Sequence, residues 1–536
     1  MPLSLLAYMT TFGVFSQKKG NRHKMLKSSR ACKHLKLVLI LPLCVFTMAA
    51  AYAQDGSGLD TAVSPVPAWD DRTSRNWGEF VRDSTIALGY CLFKNTILMY
   101  FNGVILQSSW AFPTTDSIMS NFNEPWKWED ADGFMVNHLG HPIQGSVYFN
   151  AGRVNGFGFY SSLFFSALGS FSWEAFHERQ RASMNDLLIT APTGMSLGEI
   201  LYRLYVQAHA AGFPALLIGL FNPAAGVHRL VTGWEPPPVQ NNFYDIRFYV
   251  GAAYAHTDYS VFGAMLEETG FAGTQREVFS HSGAFADVGF HIIYGDPFVQ
   301  STWVPFRHFE FFGSFGADVG NQNHFRVFSD GYLFSFSPLY SETQALSHGL
   351  SLHFDYATLG EFDMFYATIN MYSNALGWSA KYRHLFSEDI SWRARMHAAF
   401  TFFGASSYHN PLDTRQSELL NYGFGMSVKH LSGFEFGRRN RFDVHNFFYF
   451  QWHYPRTAEV SATEHAISQG FVWFQFHDFT FSRLVTERVS LGATFSMAME
   501  RGWFGAFPST RKNHWAVRTF VAWNGNNIRG TGGNPR

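Results

Sequence analysis

Charge and cysteine are both scarce in this chain of 536 residues. Charged residues make up 15% of it, the formal net charge is −1, and no basic run stands out. The composition therefore gives no electrostatic reason to expect nucleic acid as a partner. Of the three cysteines, Cys32 and Cys44 precede the cleavage site predicted below. Only Cys91 remains after cleavage, which excludes an internal disulfide and a zinc site built from cysteines.

The start of the chain lacks an apolar run long enough to cross a membrane as a helix. The apolar stretch 37–46 follows basic residues and is shorter than the about 20 residues that such a helix needs. Small residues follow it, and Ala51, Tyr52 and Ala53 form a small-x-small cleavage site before Gln54. The sequence therefore predicts an export signal peptide over residues 1–53, with Met25 as an alternative start.

Composition shifts divide the exported chain into further segments. Residues 54–80 are rich in Gly, Ser, Pro and Asp and predict a flexible leader. Residues 81–232 are mainly helical in pattern, and a proline-rich linker follows over 233–241. Lys94 and Asn95 interrupt the apolar stretch 84–107, so it predicts a packed or surface-lying amphipathic helix. The remainder comprises a β-rich segment over 242–525 and a tail over 526–536.

The β-rich segment shows period-two alternation of apolar and polar residues, which is typical of strands with one apolar face. Turn-like breaks rich in Ser, Gly, Asn and Asp separate these strands. Three of the apolar faces comprise Leu350, Leu352, Phe354 and Tyr356; Trp392, Ala394, Met396, Ala398 and Phe400; and Phe442, Val444, Phe448, Phe450 and Trp452.

Two architectures fit such strands, a soluble sandwich and a membrane barrel. Export, long strands and aromatic residues near strand ends favour the barrel, whose apolar face contacts lipid. At roughly 22–24 residues for each strand and turn, the segment yields about 12 strands. The predicted fold class is an antiparallel transmembrane β-barrel of about 12 strands, preceded by an α-helical N-terminal region. The predicted location is the outer membrane of a Gram-negative-type bacterium, and the expected partners are its lipid and the barrel-assembly machinery.

A stripe of small residues marks the segment 161–178 of the helical region. Ser162, Ser166 and Ser170 recur every four residues and therefore lie on one helix face. Such a stripe lets another backbone approach closely, and serine hydroxyls can form hydrogen bonds across the contact. The pattern predicts helix packing.

Polar groups are dense around this helix. Buried carboxylates need partners, so Arg153 is expected to pair with Glu174, or Arg203 with Glu199 at helical i,i+4 spacing. The alternatives are a structural network and a reactive site. The candidate residues are His141, Arg153, Glu174, Asn185, Asp186, Glu199 and Arg203.

Five short motifs in this region occur in a recognisable order. They are His141 to Gly145 (His-Pro-x-x-Gly), Arg153 to Gly156 (Arg-x-x-Gly), Ser170 to Glu174 (Ser-x-x-Trp-Glu), Ser183 to Asp186 (Ser-x-Asn-Asp) and Gly194 to Glu199 (Gly-x-x-x-Gly-Glu). Together they resemble the bacterial family of domain of unknown function 3943. That family is similar to predicted outer-membrane barrel proteins and has no assigned activity, so the resemblance implies location and architecture but no reaction.

A metal site is a minor alternative within the same region. His138 and His141 supply two imidazoles, and Glu174 and His177 lie one turn apart on a helix. Glu-x-x-His is a ligand spacing of di-iron bundles, but such sites need a second copy, and the sequence has none. We therefore expect no cofactor.

The polar faces of the strands predict a lumen of mixed charge that can bind or select a solute. We expect a transport, solute-binding or structural role in the envelope. The alternative is a membrane-embedded hydrolase of lipid or another envelope component, with a polar site formed by the motifs at 138–203; the sequence has no Gly-x-Ser-x-Gly elbow. The predicted lumen residues are His353, Asp355, Arg393, Arg395, His397, Arg441, Asp443 and His445.

Overall fold

A computed structural model describes most of the chain after the predicted leader. The described residues are 75–128, 132–237, 239, 241–262, 275–299, 301–317, 322–361, 369–409, 418–453, 470–504 and 509–525. The predicted signal peptide and the tail lie outside them. Within them the chain forms two compact units, a helical unit that ends at Asn241 and a barrel unit that begins at Asn242.

The helical unit contains seven α-helices in its described residues. Two single π-helical turns, Phe101–Ile105 and Val136–Gly140, adjoin α1 and α3. No described helix combines the length and apolar character needed to cross a bilayer. The α-helices are α1 (Trp77–Tyr100), α2 (Thr115–Asn123), α3 (His141–Val154), α4 (Phe159–Phe176), α5 (Met184–Ala210), α6 (Ala215–Phe221) and α7 (Pro223–Thr232).

Capping residues set the first and last helix boundaries. The side chain of Asn76 accepts a hydrogen bond from the Glu79 backbone N–H, and the Glu79 carboxylate accepts one from the Asn76 backbone N–H, so α1 begins at Trp77. This start lies inside segment 54–80, which was predicted as flexible leader, because the capping box stabilises the first turn. At the other end, Gly233 adopts φ +69° and ends α7 before the prolines.

The barrel unit contains twelve strands. They are β1 (Phe243–Phe262), β2 (Gln275–Tyr294), β3 (Phe309–Ala317), β4 (Gln322–Tyr340), β5 (Gln344–Glu361), β6 (Ile369–Ser387), β7 (Ile390–His409), β8 (Glu418–Phe436), β9 (Asn440–His453), β10 (Gly470–Leu484), β11 (Val489–Phe504) and β12 (Ser509–Asn524).

These strands form a closed antiparallel ring. Each strand pairs with its neighbours in sequence, and β12 pairs with β1 from Arg247 opposite Asn524 to Phe262 opposite Ser509. Closure leaves no unpaired sheet edge. The predicted fold class, an antiparallel barrel of about 12 strands after a helical region, is confirmed.

The connections at the two ends of the ring differ in length. At the end where β1 begins, four of the turns have two to four residues, and the fifth, 295–308, is longer. At the opposite end the connections range from four to sixteen residues. Short turns at one end and longer loops at the other are typical of outer-membrane barrels.

The strands turn many apolar side chains outward, and their inward side chains are polar or charged apart from an apolar cluster that includes Phe328, Phe447 and Phe476. On β7, Met396 is 49% exposed and Phe400 54% exposed, whereas Arg395 and His397 are buried inside the ring. The outward face of β5 differs from this expectation, because Leu352, Phe354 and Tyr356 are buried. Beside them, the Phe354 ring lies 6.2 Å from that of Tyr372 on β6.

Candidate functional sites in the helical unit and the barrel lumen

The serine stripe of α4 lies in the core of the helical unit. Ser162, Ser166 and Ser170 are all buried. The Ser166 hydroxyl donates a hydrogen bond of 3.1 Å to the Gly145 carbonyl on α3. The stripe therefore packs and ties helices together and is not open to a substrate.

Helices α3 and α5 approach each other through glycine. A Cβ atom placed on Gly145 would lie 2.0 Å from the Thr190 carbonyl oxygen, and one on Gly194 would lie 2.4 Å from the Gly145 carbonyl carbon. A side chain at either position would collide with backbone. The Gly residues of two predicted motifs thus permit this contact.

A buried ion cluster joins the same two helices. Arg153 Nε lies 2.9 Å from Glu199 Oε2, and Arg203 Nε lies 2.8 Å from Glu199 Oε1. The Arg203–Glu199 pairing is the one that the i,i+4 spacing predicted. The other expectation paired Arg153 with Glu174, but Arg153 contacts Glu199 on α5. Glu174 Oε2 instead accepts hydrogen bonds from the Ser183 backbone N–H at 2.8 Å and hydroxyl at 3.1 Å.

A second polar cluster forms around the start of α5. Ser183 Oγ also lies within hydrogen-bond distance of Asp186 Oδ2, and His141 Nε2 lies 3.4 Å from Asp186 Oδ1. Burial, with a smaller contribution from the Lys94 charge, lowers the pKa of His141 to about 3. The imidazole is therefore neutral at ordinary pH. Asn185 is also buried, and its backbone N–H donates a hydrogen bond of 2.9 Å to the Trp128 carbonyl oxygen.

The candidate metal ligands make other contacts. His138 Nδ1 lies 2.9 Å from the Phe134 carbonyl oxygen, and His177 Nδ1 lies 2.7 Å from that of Ser172. Throughout the described ranges, no three residues among His, Cys, Asp and Glu come together as metal ligands.

The sequence reasoning missed one buried group, the Lys94 amine. Lys94 Nζ lies 3.1 Å from the Tyr148 hydroxyl and over its ring, 4.7 Å from the centroid. Tyr148 in turn donates to Asn95 Oδ1 and accepts from Gln144 Nε2 at 2.7 Å. Burial holds the pKa of Lys94 well below its usual range. A lysine within an apolar helix is a sequence signal for such a buried amine. Lys94 was, however, interpreted above only as a break in the apolar stretch 84–107.

Ion pairs cross the barrel lumen. Arg326 on β4 and Asp478 on β10 come from strands on opposite sides of the ring. Arg326 Nη1 lies 3.0 Å from one carboxylate oxygen of Asp478 and 3.2 Å from the other. Their contact therefore spans the full width of the barrel.

Further contacts cross the lumen at other levels. Lys429 on β8 lies 2.9 Å from Asp355 on β5, and the Tyr449 hydroxyl on β9 donates to the same carboxylate at 3.0 Å. Glu310 on β3 pairs with Arg395 on β7. Because each contact skips at least two intervening strands, the interior is occupied by side chains.

All eight predicted lumen residues face the interior of the ring. Asp443 on β9 accepts a hydrogen bond from Arg441 Nε at 2.7 Å and lies 3.5 Å from Arg247 Nη1 on β1. Arg393 pairs with Glu435. His353 and His397 lie 5.3 Å apart, ring to ring, and His445 lies 6.4 Å from His291.

The prediction omitted several members of these pairs. Arg326 lies between apolar Phe325 and Val327 in β4, so the same period-two pattern would have identified it. Asp330 lies between Ser329 and Gly331, where that pattern is interrupted. Their partners Asp478 and Lys381 could not be assigned from sequence, since pairing depends on how the ring closes.

A small cavity lies within this network. It holds about 30 Å³, enough for roughly one water molecule. Its lining includes Lys381, Arg393, Arg395, Arg441, Glu310 and Phe298.

Three solved structures of barrel proteins are among those similar to this chain. The toluene transporter TodX of Pseudomonas putida is 9% identical, with a TM-score of 0.20, over 56% of this chain and 93% of that one. An outer membrane channel from Pseudomonas putida F1 is 9% identical, with a TM-score of 0.25, over 54% and 100% of the two chains. The NanC porin is 7% identical, with a TM-score of 0.22, over 51% and 98%.

No curated protein matches this chain. Residues 125–215 match the family described as "Domain of unknown function (DUF3943)". This segment runs from the end of α2 to the start of α6 and contains the Arg153–Glu199–Arg203 cluster and the α3–α5 glycine contact. The resemblance inferred from the five motifs is therefore confirmed for the helical unit.

Proposed function

We propose that this chain is an exported outer-membrane barrel that serves envelope transport through a lumen closed at rest by ion pairs. The closed ring, its outward apolar belt and the unequal connections at its two ends support the membrane location. The signal peptide predicted over residues 1–53 accounts for export to it.

The bridge between Arg326 and Asp478 carries the transport proposal. A solute can pass only if this bidentate contact and the other pairs that cross the lumen separate. Separation places charges in a site largely shielded from water, which is costly unless another charged or polar group replaces the partner. The ion pairs thus favour small polar solutes that offer such groups.

Conductance across planar bilayers tests this proposal. The intact protein should show long closed periods, and the double variant Arg326→Ala with Asp478→Ala should be open for more of the time. Arg438→Gln is the control, because Arg438 forms an exposed turn ion pair with Asp389 outside the lumen.

Two results would contradict a gated lumen. One is a large, permanently open conductance in the intact protein. The other is unchanged conductance in the double variant and in a variant that also carries Glu310→Ala and Arg395→Ala.

An enzyme built on the motifs at 138–203 receives less support. Its seven candidate residues are no more than 6% exposed, and their contacts join helices. These motifs act, in our proposal, as the structural core of the helical unit.

A further inference from the structure

A serine and a histidine form a hydrogen-bonded pair on the outer wall of the barrel. Ser282 Oγ lies 2.8 Å from His256 Nδ1, and the two residues are directly opposite on β2 and β1. Both side chains point outward, since the flanking Ala255 and Thr257 on β1 are fully buried while Tyr254 is 48% exposed.

Aromatic residues place the pair at an edge of the apolar belt. The Trp515 ring lies 5.9 Å from Tyr254 and 5.8 Å from His256. Tyr and Trp concentrate at membrane–water interfaces. His256 follows Tyr254 in the direction of the longer connections, so the pair lies near the headgroups of the leaflet on that side.

Two arginines lie close to the same edge and face each other. Arg501 on β11 is directly opposite Arg511 on β12, an arrangement of like charges that destabilises a sheet. The Asp258 carboxylate on β1 interacts with Arg501, which leaves the three side chains with one net positive charge. Arg501 Nη2 donates to Asn513 Oδ1 at 2.8 Å, and Asn513 Nδ2 donates to Asp258 Oδ1 at 2.7 Å. The Arg501 guanidinium is thereby held on the side of the ring that carries His256.

The distance between the two arginines and the Ser282–His256 pair is one that a single lipid molecule can span. Trp515 is directly opposite His256, and Asn513, which holds Arg501, is two residues farther along β12. Two strand residues correspond to about 7 Å along the strand, and β12 lies two strand spacings, about 10 Å, from Ser282 on β2. The backbone of Asn513 is thus about 12 Å from that of Ser282, so a lipid whose phosphate lies between Arg501 and β1 can present an acyl ester near Ser282.

We propose that Ser282 and His256 form a catalytic pair that hydrolyses an acyl ester of a phosphate-bearing membrane lipid, with Arg501 and Arg511 binding the phosphate. This inference rests on the proposed membrane location but uses neither the lumen nor the motifs of the helical unit.

The chemistry is serine-dependent ester hydrolysis in two steps. The Ser282 oxygen attacks the ester carbonyl while His256 Nδ1 accepts the hydroxyl proton. The bond from the carbonyl carbon to the lipid alcohol oxygen then breaks, and His256 returns the proton to that oxygen. Water, deprotonated by His256, next attacks the acyl-serine, which releases the fatty acid and regenerates Ser282.

Fatty-acid release from vesicles tests the inference with the full-length protein. Vesicles of phosphatidylglycerol and vesicles containing phosphorylated lipid A distinguish a glycerophospholipid from a phosphorylated saccharide lipid. Ser282→Ala and His256→Gln should each lower the rate about 10²-fold or more. Ser280→Ala is the matched control, because Ser280 is exposed on the same strand face two residues away and should keep the full rate.

The phosphate contacts have a separate readout. Arg501→Gln with Arg511→Gln should slow hydrolysis of either phosphate-bearing lipid and thereby lower the ratio of its rate to that of diacylglycerol hydrolysis. A fluorophosphonate probe should label Ser282 in the intact protein and not in Ser282→Ala.

A folded protein recovered in the outer membrane that neither hydrolyses these lipids nor reacts with the probe overturns this inference alone. Equal rates of lipid hydrolysis for the intact protein and Ser282→Ala would also overturn this inference alone. Recovery of the protein outside the outer membrane would instead overturn the proposed function on which the inference rests.

Discussion

Glu199 is the residue on which two buried guanidinium groups converge. Arg203 is on the same helix, so the i,i+4 spacing predicted its contact. Arg153 is 46 residues away in sequence, and its choice of Glu199 over Glu174 follows from how α3 lies on α5. Local spacing can therefore predict one ion pair of this cluster, but the other depends on tertiary packing.

Replacing Glu199 with Gln should destabilise the helical unit. The change removes the charge shared by both arginines, and breaking a buried pair costs about 3–5 kcal/mol. Reaction of the Cys91 thiol with a maleimide in urea measures opening of the unit, since Cys91 is 2% exposed; a chain produced from Gln54 onward contains no other cysteine.

Glu235→Gln is the matched control for this change. Glu235 forms a surface pair of 2.7 Å with Arg229, so its loss should leave the labelling midpoint where it was. Equal midpoints for the Glu199 and Glu235 variants would refute a structural role for the buried cluster.

Acidification should destabilise the helical unit through His138 and His141. Burial lowers the pKa of each to about 3, whereas an unfolded histidine titrates near 6.5. Between these values the unfolded chain binds more protons, so stability falls as pH falls below about 6.5. The loss is roughly 2 kcal/mol for each histidine between pH 7 and pH 5.

Urea titrations at pH 7 and pH 5, followed by Cys91 labelling, measure this loss. The variant His138→Asn with His141→Gln should show a smaller difference between the two pH values. An undiminished difference in that variant would assign the pH dependence to other groups.

At the scale of secondary structure elements, α3 and α5 are joined by glycine and α4 by serine. The four-residue periodicity of the serines predicted the buried face of α4. It did not predict which helix lies on that face, because small residues specify a close approach without specifying a partner. The strands were more predictable, since period-two alternation directly defines two faces; the outward face of β5 is an exception, because alternation does not show how deeply a face is buried.

Gly145→Ala should separate α3 from α5. The new methyl group would lie 2.0 Å from the Thr190 carbonyl oxygen, and overpacking of this kind costs about 1–3 kcal/mol. A fall in the urea midpoint of Cys91 labelling measures the effect.

Gly89→Ala is a control for which the urea midpoint should shift in the opposite direction. Gly89 lies within α1, and a Cβ atom there has no neighbour within 4 Å. Because alanine favours helix by about 0.5–1 kcal/mol over glycine, its midpoint should rise. A similar fall in both variants would show that the α3–α5 contact is not special.

At the scale of the whole molecule, ion pairs across the lumen connect strands that are distant in the ring. The alternation of residues predicted which side chains face inward, and the eight predicted lumen residues do so. It could not pair Arg326 with Asp478, because their contact exists only once twelve strands have set the diameter of the barrel.

A double-mutant cycle on Arg326 and Asp478 should show strong coupling. Asp478→Ala alone leaves the Arg326 charge in the lumen without this carboxylate and should destabilise the barrel by about 3–5 kcal/mol. Adding Arg326→Ala should recover part of the loss. Heat-modifiable migration on gels, scanned with temperature, measures barrel stability; additive losses would mean that the two residues act independently.

The seam between β1 and β12 has a consequence for biosynthesis. β1 is synthesised first, but its second partner is β12, which is synthesised last. The ring therefore cannot close until the whole barrel segment has been made. A chain that ends before Ser509 lacks β12, so β1 and β11 each have one unpaired edge. Such edges can pair with strands of other chains. Such chains should therefore aggregate unless another protein covers the open edges.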